Sequence, residues 1–256
     1  LSLSFSLCSA LSMSECTRIW PVVRGCARVF RRWALANPQL LTTPSAQPTP
    51  LLELGSGVGL LGISLSVGLG VDVLLSDFDG HHVGTLVEPE DSVLALLEHN
   101  ARANAELAAA QGGSLAVIAL DWAAPAAPRR VYDSSEQQDG AAMAVTQAAV
   151  IVGTELVCKC SSSLCVFLRD DETQRRCCTD TVGAAALLCE TLSVWLRKPD
   201  GVFYLLQAQN RVDMDRFGHL AEDRGLAVEE LQLGEAVSAC GEVAGAAAGH
   251  FRLVAV

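Results

Sequence analysis

Apolar residues recur every three or four positions between Cys16 and Leu41, at Trp20, Val23, Ala27, Phe30 and Ala34. That spacing predicts an amphipathic helix, with Arg24, Arg28, Arg31 and Arg32 as its basic side. Thr42–Pro50 (TTPSAQPTP) reads as a Pro/Ser/Thr loop. After it the period changes. Leu51–Leu54 is a short apolar strand, Leu60–Val67 opens a helix, and Val71–Ser76 is a second strand. Phe78–Asp91 is a loop. Ser92–Ala110 is helical, with Val93, Leu96, Asn100, Ala103 and Leu107 on one face and Asp91-Ser92 placed to cap the first turn. Strands follow at Leu115–Leu120 and Ala148–Gly153, separated by a polar, Ala/Pro-rich excursion over Ala123–Thr146. A helix over Val182–Leu196, a strand over Val202–Leu206, a helix over Asp213–Arg224, and strands over Ala227–Leu233 and His250–Val256 complete the pattern.

Strands alternate with helices, and several strands are apolar on both faces. Such strands belong in a parallel sheet covered by helices on each side. The last two strands have no helix between them, which suits an antiparallel edge. Residues 1–50 read as an N-terminal segment with a helix packing on the domain, and residues 51–256 as one α/β domain.

Composition narrows the class. The chain has 256 residues and is 50% hydrophobic, enough for a sizeable core and too much for a disordered acidic tail. Aromatics are 5%, so the core must rest on Leu, Val and Ala. The net charge of −11 argues against nucleic acid as a partner. No run of about 18 apolar residues exists, so no membrane span is expected. Leu1–Leu11 (LSLSFSLCSAL) is weakly like the apolar part of a signal peptide, without a basic segment before it. It is read as a mis-assigned start upstream of Met13.

The ten cysteines are irregularly spaced, which favours a reducing compartment over a disulfide framework. Five of them lie at Cys158, Cys160, Cys165, Cys177 and Cys178. That spacing is a poor match to paired zinc ligands, so no metal is expected. His81-His82, on a loop, reads as solvent-exposed.

Glu53-Leu54-Gly55-Ser56-Gly57-Val58-Gly59 follows a strand and opens a helix. Glycines there allow a tight turn and a close backbone approach to a ligand. Glu53 would repel a diphosphate but suits an ammonium group. Asp77, ending the second strand, is placed for ribose hydroxyls. Gly57, Gly59 and Gly62 also satisfy G-x-G-x-x-G, which leaves a nicotinamide-dependent oxidoreductase open.

Taken in order, Glu-x-Gly-x-Gly-x-Gly, Asp77, Leu120-Asp121-Trp122 and Gly153-Thr154-Glu155-Leu156-Val157 resemble the class I S-adenosylmethionine-dependent methyltransferases. More narrowly, the chain looks like the methyltransferase-like protein-lysine methyltransferases. Ile19-Trp20-Pro21, Leu52–Ile63 and the helix with Asn100 and Asn104 carry that likeness. It covers about residues 16–157 and 182–256.

The resemblance implies a Rossmann-like seven-stranded methyltransferase sheet, mostly parallel with an antiparallel edge and helices on both faces. It implies S-adenosylmethionine as cofactor and a lysine-bearing protein as substrate, in the cytoplasm and also the nucleus. Gly55, Ser56 and Gly57 would pass beneath the methionine part. Glu53 would steady that region through charge or loop hydrogen bonds. Asp77 would accept both ribose hydroxyls. Trp122 would lie against the adenine, with Asp121 near its amino group. Thr154 would offer backbone contacts beside the sulfonium, and Trp20 would close the pocket. Core packing is the alternative for both tryptophans. Glu155 would take the proton from the acceptor amine. Asn210-Arg211 would contact substrate.

Where the family has an aromatic two residues beyond the one after the acid, this chain has Cys158. Cys158–Asp180 lacks helical or strand periodicity and reads as an insertion, either a mis-predicted segment or a substrate loop. An inactive cofactor-binding scaffold is therefore the second alternative.

Overall fold

The computed structural model describes residues 20–41, 49–78, 92–134, 147–156, 181–208, 214–231 and 251–256. Helix α1 (Trp20–Ala36) buries Cys26, Ala27, Val29, Phe30, Trp33 and Ala34, while Arg28 and Arg32 stay exposed. It is shorter than its periodicity predicts. Pro38 disfavours helical backbone at Asn37, whose side-chain amide instead donates to the Trp33 carbonyl at 2.8 Å. A single 3-10 turn, Pro38–Leu40, follows.

The remaining elements are β1 (Leu51–Leu54), α2 (Leu60–Leu69), β2 (Val73–Asp77), α3 (Val93–Ala110), β3 (Leu115–Ala119), β4 (Arg129–Asp133), β5 (Val150–Thr154), α4 (Thr181–Trp195), β6 (Val202–Ala208), α5 (Met214–Glu222), β7 (Glu229–Leu231) and β8 (Phe251–Ala255). The eight strands form one sheet in the order β4-β3-β2-β1-β5-β6-β8-β7. The five from β3 to β6 are parallel. β8 runs antiparallel to both β6 and β7, giving the antiparallel edge that the sequence suggests. This is the expected Rossmann-like sheet, mostly parallel with an antiparallel edge, with one strand more among the described residues than the sequence suggests. The extra strand is β4, antiparallel to β3. It lies inside Ala123–Thr146, where Arg129, Arg130 and Asp133 hide a strand whose outer face meets solvent.

Helices cover both faces. α1, α2 and α3 pack against one, with Phe30, Ile63, Leu65 and Leu97 in its core. α4 and α5 pack against the other, around Leu188, Leu192, Trp195 and Phe217. Alternate β1 residues divide between the faces, with Leu52 and Leu54 toward α4 and Leu51 toward α1.

The face of α3 differs from the one its sequence predicts. Leu94, Leu97, Asn100, Ala101, Asn104 and Ala108 are buried, whereas Val93 is 40% and Leu107 39% exposed. Leucine and alanine lie all round this helix, so periodicity alone is a weak guide. Packing on α2 and β3 selects the face that carries the two asparagines. Ser92 caps the helix as expected, its hydroxyl accepting from the Ala95 N–H at 3.0 Å.

β1 sits between β2 and β5, where the chain order reverses. The helices that follow β1 and β5 pack on opposite faces there, and in open α/β sheets such a switch point is where the ligand-binding crevice forms.

Candidate functional site

The glycine loop bridges β1 and α2 at that crevice. Gly55, Gly57 and Gly59 have φ of 62°, 55° and 83°, a left-handed backbone that glycine adopts without strain. A side chain on Gly57 would point into open space, so the loop presents bare backbone outward.

Three neighbours hold the loop. Ser56 ties it to β2: its N–H donates to the Ser76 carbonyl at 2.8 Å, and its hydroxyl accepts from the Ser76 N–H at 3.0 Å. Asn100 ties it to α3, donating from Nδ2 to the Val58 carbonyl at 2.9 Å, and Asn104 Nδ2 donates to the Asn100 carbonyl at 2.8 Å. Asp77 ties it from above: Oδ2 accepts from the Gly57 N–H at 2.6 Å and Oδ1 from the Phe78 N–H at 2.7 Å. Burial pushes the Asp77 carboxyl above its ordinary range, and those two bonds pull it back in part.

Glu53 is 2% exposed, beneath the first turn of α2. Its Oε2 accepts from the Gly62 N–H at 3.0 Å. Burial pushes its pKa up to about 8, against hydrogen bonds from Ser56 and Gly62, and Asp77 adds to the push. Near neutral pH this side chain is therefore largely uncharged. Of the two ways expected for it to steady the loop, the geometry provides hydrogen bonding rather than charge.

The carboxyl ends of β3 and β5 flank the loop. Leu120 N–H donates to the Asp77 carbonyl at 2.9 Å, which sets the turn after β3 beside Asp77. Asp121 Oδ1 accepts from the Ala123 N–H at 2.8 Å. Trp122 is half-buried against the α4-side core. Trp195 fixes the same turn by donating from Nε1 to the Pro125 carbonyl at 2.8 Å. Thr154 is half-buried at the end of β5. Glu155 follows with φ 58°. Its N–H donates to the Leu206 carbonyl at 3.0 Å, and its Oε1 accepts from the Cys26 thiol at 2.7 Å. Leu156 then folds back, with a δ-carbon 2.6 Å from where a side chain on Gly55 would begin. Glycine at position 55 lets Leu156 close on the loop and adopts the left-handed backbone there without strain.

Glu53, Gly55, Ser56, Gly57, Asp77, Asp121, Trp122, Thr154 and Glu155 thus gather at the carboxyl ends of adjacent strands. Trp20 is the first residue of α1, and its side chain lies outside the described residues. So do His81-His82, Asn210-Arg211, the thiols from Cys158 to Cys178 and the whole proposed insertion. Among the described residues no group of three or more His, Cys, Asp or Glu could hold a metal ion, and no helix is long and apolar enough to cross a membrane.

Sequence reasoning missed Cys26, which reads as one more small apolar position on α1. It also passed over Phe78, which is 41% exposed and donates its N–H to the Asp77 carboxylate. An aromatic one residue beyond the strand-ending acid was the available signal.

Strand order, glycine loop and acidic strand ends together define a Rossmann-like α/β fold, mostly parallel with an antiparallel edge. No protein-family profile and no curated protein matches the chain in sequence. Solved structures resemble it remotely. The glycopeptide N-methyltransferase MtfA, complexed with S-adenosylmethionine, is 12% identical, with 88% of this chain and 92% of that chain covered and a TM-score of 0.46. The pyocyanin biosynthetic protein PhzM is 12% identical, covering 87% of this chain and 53% of that one at a TM-score of 0.45. A putative O-methyltransferase from Nostoc punctiforme PCC 73102 is 12% identical, covering 96% and 62% at 0.48. The chain thus spans about half the length of PhzM and under two thirds of the Nostoc protein. The fold assignment stands on the strand order and register of this chain itself.

Proposed function

We propose that the chain transfers a methyl group from S-adenosylmethionine to a protein side chain, in the first place a lysine amine. The carrying observation is the charge arrangement at the crevice. Asp77 and Glu155 stand at the ends of β2 and β5, on either side of a glycine loop whose own acid is buried and largely uncharged. Two carboxylates beside open backbone suit a ligand with vicinal hydroxyls and a positive centre.

S-adenosylmethionine would supply an electrophilic methyl group on its sulfonium. Asp77 would accept from the ribose hydroxyls, the Gly55–Gly57 backbone would lie under the methionine part, and Trp122 would cover the adenine. Thr154 would lie beside the sulfonium. Glu155 would accept the proton of the incoming ammonium, leaving a neutral nitrogen to attack in line.

The same geometry disfavours the oxidoreductase alternative. In the Gly57-x-Gly59-x-x-Gly62 reading, the Gly57 and Gly62 N–H groups already donate to Asp77 and Glu53. A diphosphate needs such donors, and the acid at Asp77 opposes an anion there. The scaffold alternative rests on Cys158, outside the described residues.

Calorimetric titration with S-adenosylhomocysteine and with NAD tests the cofactor. We expect S-adenosylhomocysteine to bind; tight binding of NAD alone would overturn the reading. Labelled methyl transfer into a cell lysate then tests activity, and binding without transfer would favour the scaffold.

A further inference from the structure

Glu155 is the one described non-glycine residue with positive φ, at 58°. For a residue with a Cβ the left-handed region costs about 1–2 kcal/mol, so surrounding contacts must hold it. Glycine would adopt this backbone without that cost, yet the position carries a carboxylate. The turn is clamped on two sides. Its N–H donates to the Leu206 carbonyl, and Leu156 locks against Gly55 and Gly153. The carboxylate itself is met by α1, through the Cys26 thiol at 2.7 Å, 129 residues away in sequence.

Cys26 is fully buried, and its helix is firmly seated. Phe30 stacks on Trp33 with ring centroids 5.4 Å apart, and Trp33 leans on Tyr204 of β6 at the same separation. β6 also supplies the Leu206 carbonyl that holds the Glu155 backbone. Helix and strand thus fix both ends of one side chain. A buried cysteine is ordinarily a small hydrophobe; here its weak S–H donor meets an acceptor that an apolar residue such as Ala or Val could not satisfy.

We propose that Cys26 is a positioning residue, whose thiol holds the Glu155 carboxylate in place at the carboxyl end of β5. The proposal rests on the methyltransferase reading for its functional consequence, though the contact can be tested without it.

Two measurements on the full chain decide it. The first is the infrared S–H stretch of Cys26, isolated as the difference between wild type and Cys26→Val. We expect a band shifted to low frequency by hydrogen bonding, moving to the position of an unbonded thiol in Glu155→Gly, a change that keeps the left-handed backbone. A band indifferent to Glu155 would overturn the proposal.

The second compares Cys26→Ser, which retains a donor, with Cys26→Val, which retains apolar bulk. We expect Cys26→Val to bind S-adenosylhomocysteine like wild type but to transfer methyl groups roughly tenfold more slowly. Cys26→Ser should restore most of the rate. A packing role predicts the reverse order, with Val better than Ser, and that result would refute the proposal. Failure of the wild-type chain to transfer methyl groups would count against the methyltransferase reading, and the infrared arm would then decide the role of Cys26 alone.

Discussion

At the residue scale, two acids of the site answer to pH in different ways. Burial raises Glu53 from 4.5 to about 8. The folded state therefore holds a proton that the unfolded chain releases. Its stabilising effect is complete below about 4.5 and is lost as pH rises through about 8. Thermal unfolding across that window should show wild type losing stability on the alkaline side. Glu53→Gln, which keeps an acceptor for Gly62 N–H and cannot ionise, should lose less, by an amount on the order of a few kcal/mol. Equal slopes for the two proteins would contradict this. Asp77 is also raised, but its proposed role toward the ribose hydroxyls uses the charged form. Affinity for S-adenosylhomocysteine should weaken as pH falls, beginning above the ordinary aspartate range. Asp77→Ala removes two charge-assisted acceptors and should reduce that affinity about 100-fold by calorimetry. The loop glycines, Glu53 and Asp77 were legible in sequence because their spacing after a strand has a backbone reason. The protonation of Glu53 was not, since it depends on α2 lying over the carboxyl.

Elements act here as braces for short loops. α3 contributes Asn100, whose amide reaches the Val58 carbonyl across 42 residues of chain. Asn100→Leu would leave that carbonyl unpaired and remove the tie on the loop. The expected result is a loss of about 1–3 kcal/mol in chemical denaturation, together with weaker S-adenosylhomocysteine binding; unchanged binding would show that the loop holds its shape without α3. α2 meets the sheet through Gly62, where an added Cβ would strike Leu75, Glu53 Oε2 and Val73. Gly62→Ala should destabilise by about 1–3 kcal/mol through overpacking, measured the same way. The periodicity of α1 was readable because arginines mark its wet side. That of α3 was not, because small apolar residues surround it and only its neighbours choose the buried face.

For the whole molecule, the net charge of −11 acquires a directional meaning beside a crevice lined by carboxylates. A lysine-bearing acceptor would be drawn toward it at low ionic strength and screened at high salt. Methyl transfer to lysate proteins at limiting substrate should therefore slow as salt rises, while S-adenosylhomocysteine affinity changes much less. A rate insensitive to salt would remove the bias toward basic acceptors. The eight-stranded sheet places the crevice between β1 and β5, whose following helices pack on opposite faces. The short β4 at its far edge takes no part.

The sequence by itself determined the alternation of strands and helices, the parallel core with its antiparallel edge, the glycine loop and the acids at strand ends. These are local properties, carried by hydrophobic period and by the few residues that tolerate a given backbone. Tertiary structure decided that burial pushes the Glu53 pKa up to about 8, which face of α3 is buried, and that Cys26 meets Glu155. Those outcomes arise between groups tens to more than a hundred residues apart, where desolvation and contact exist only once the layers close.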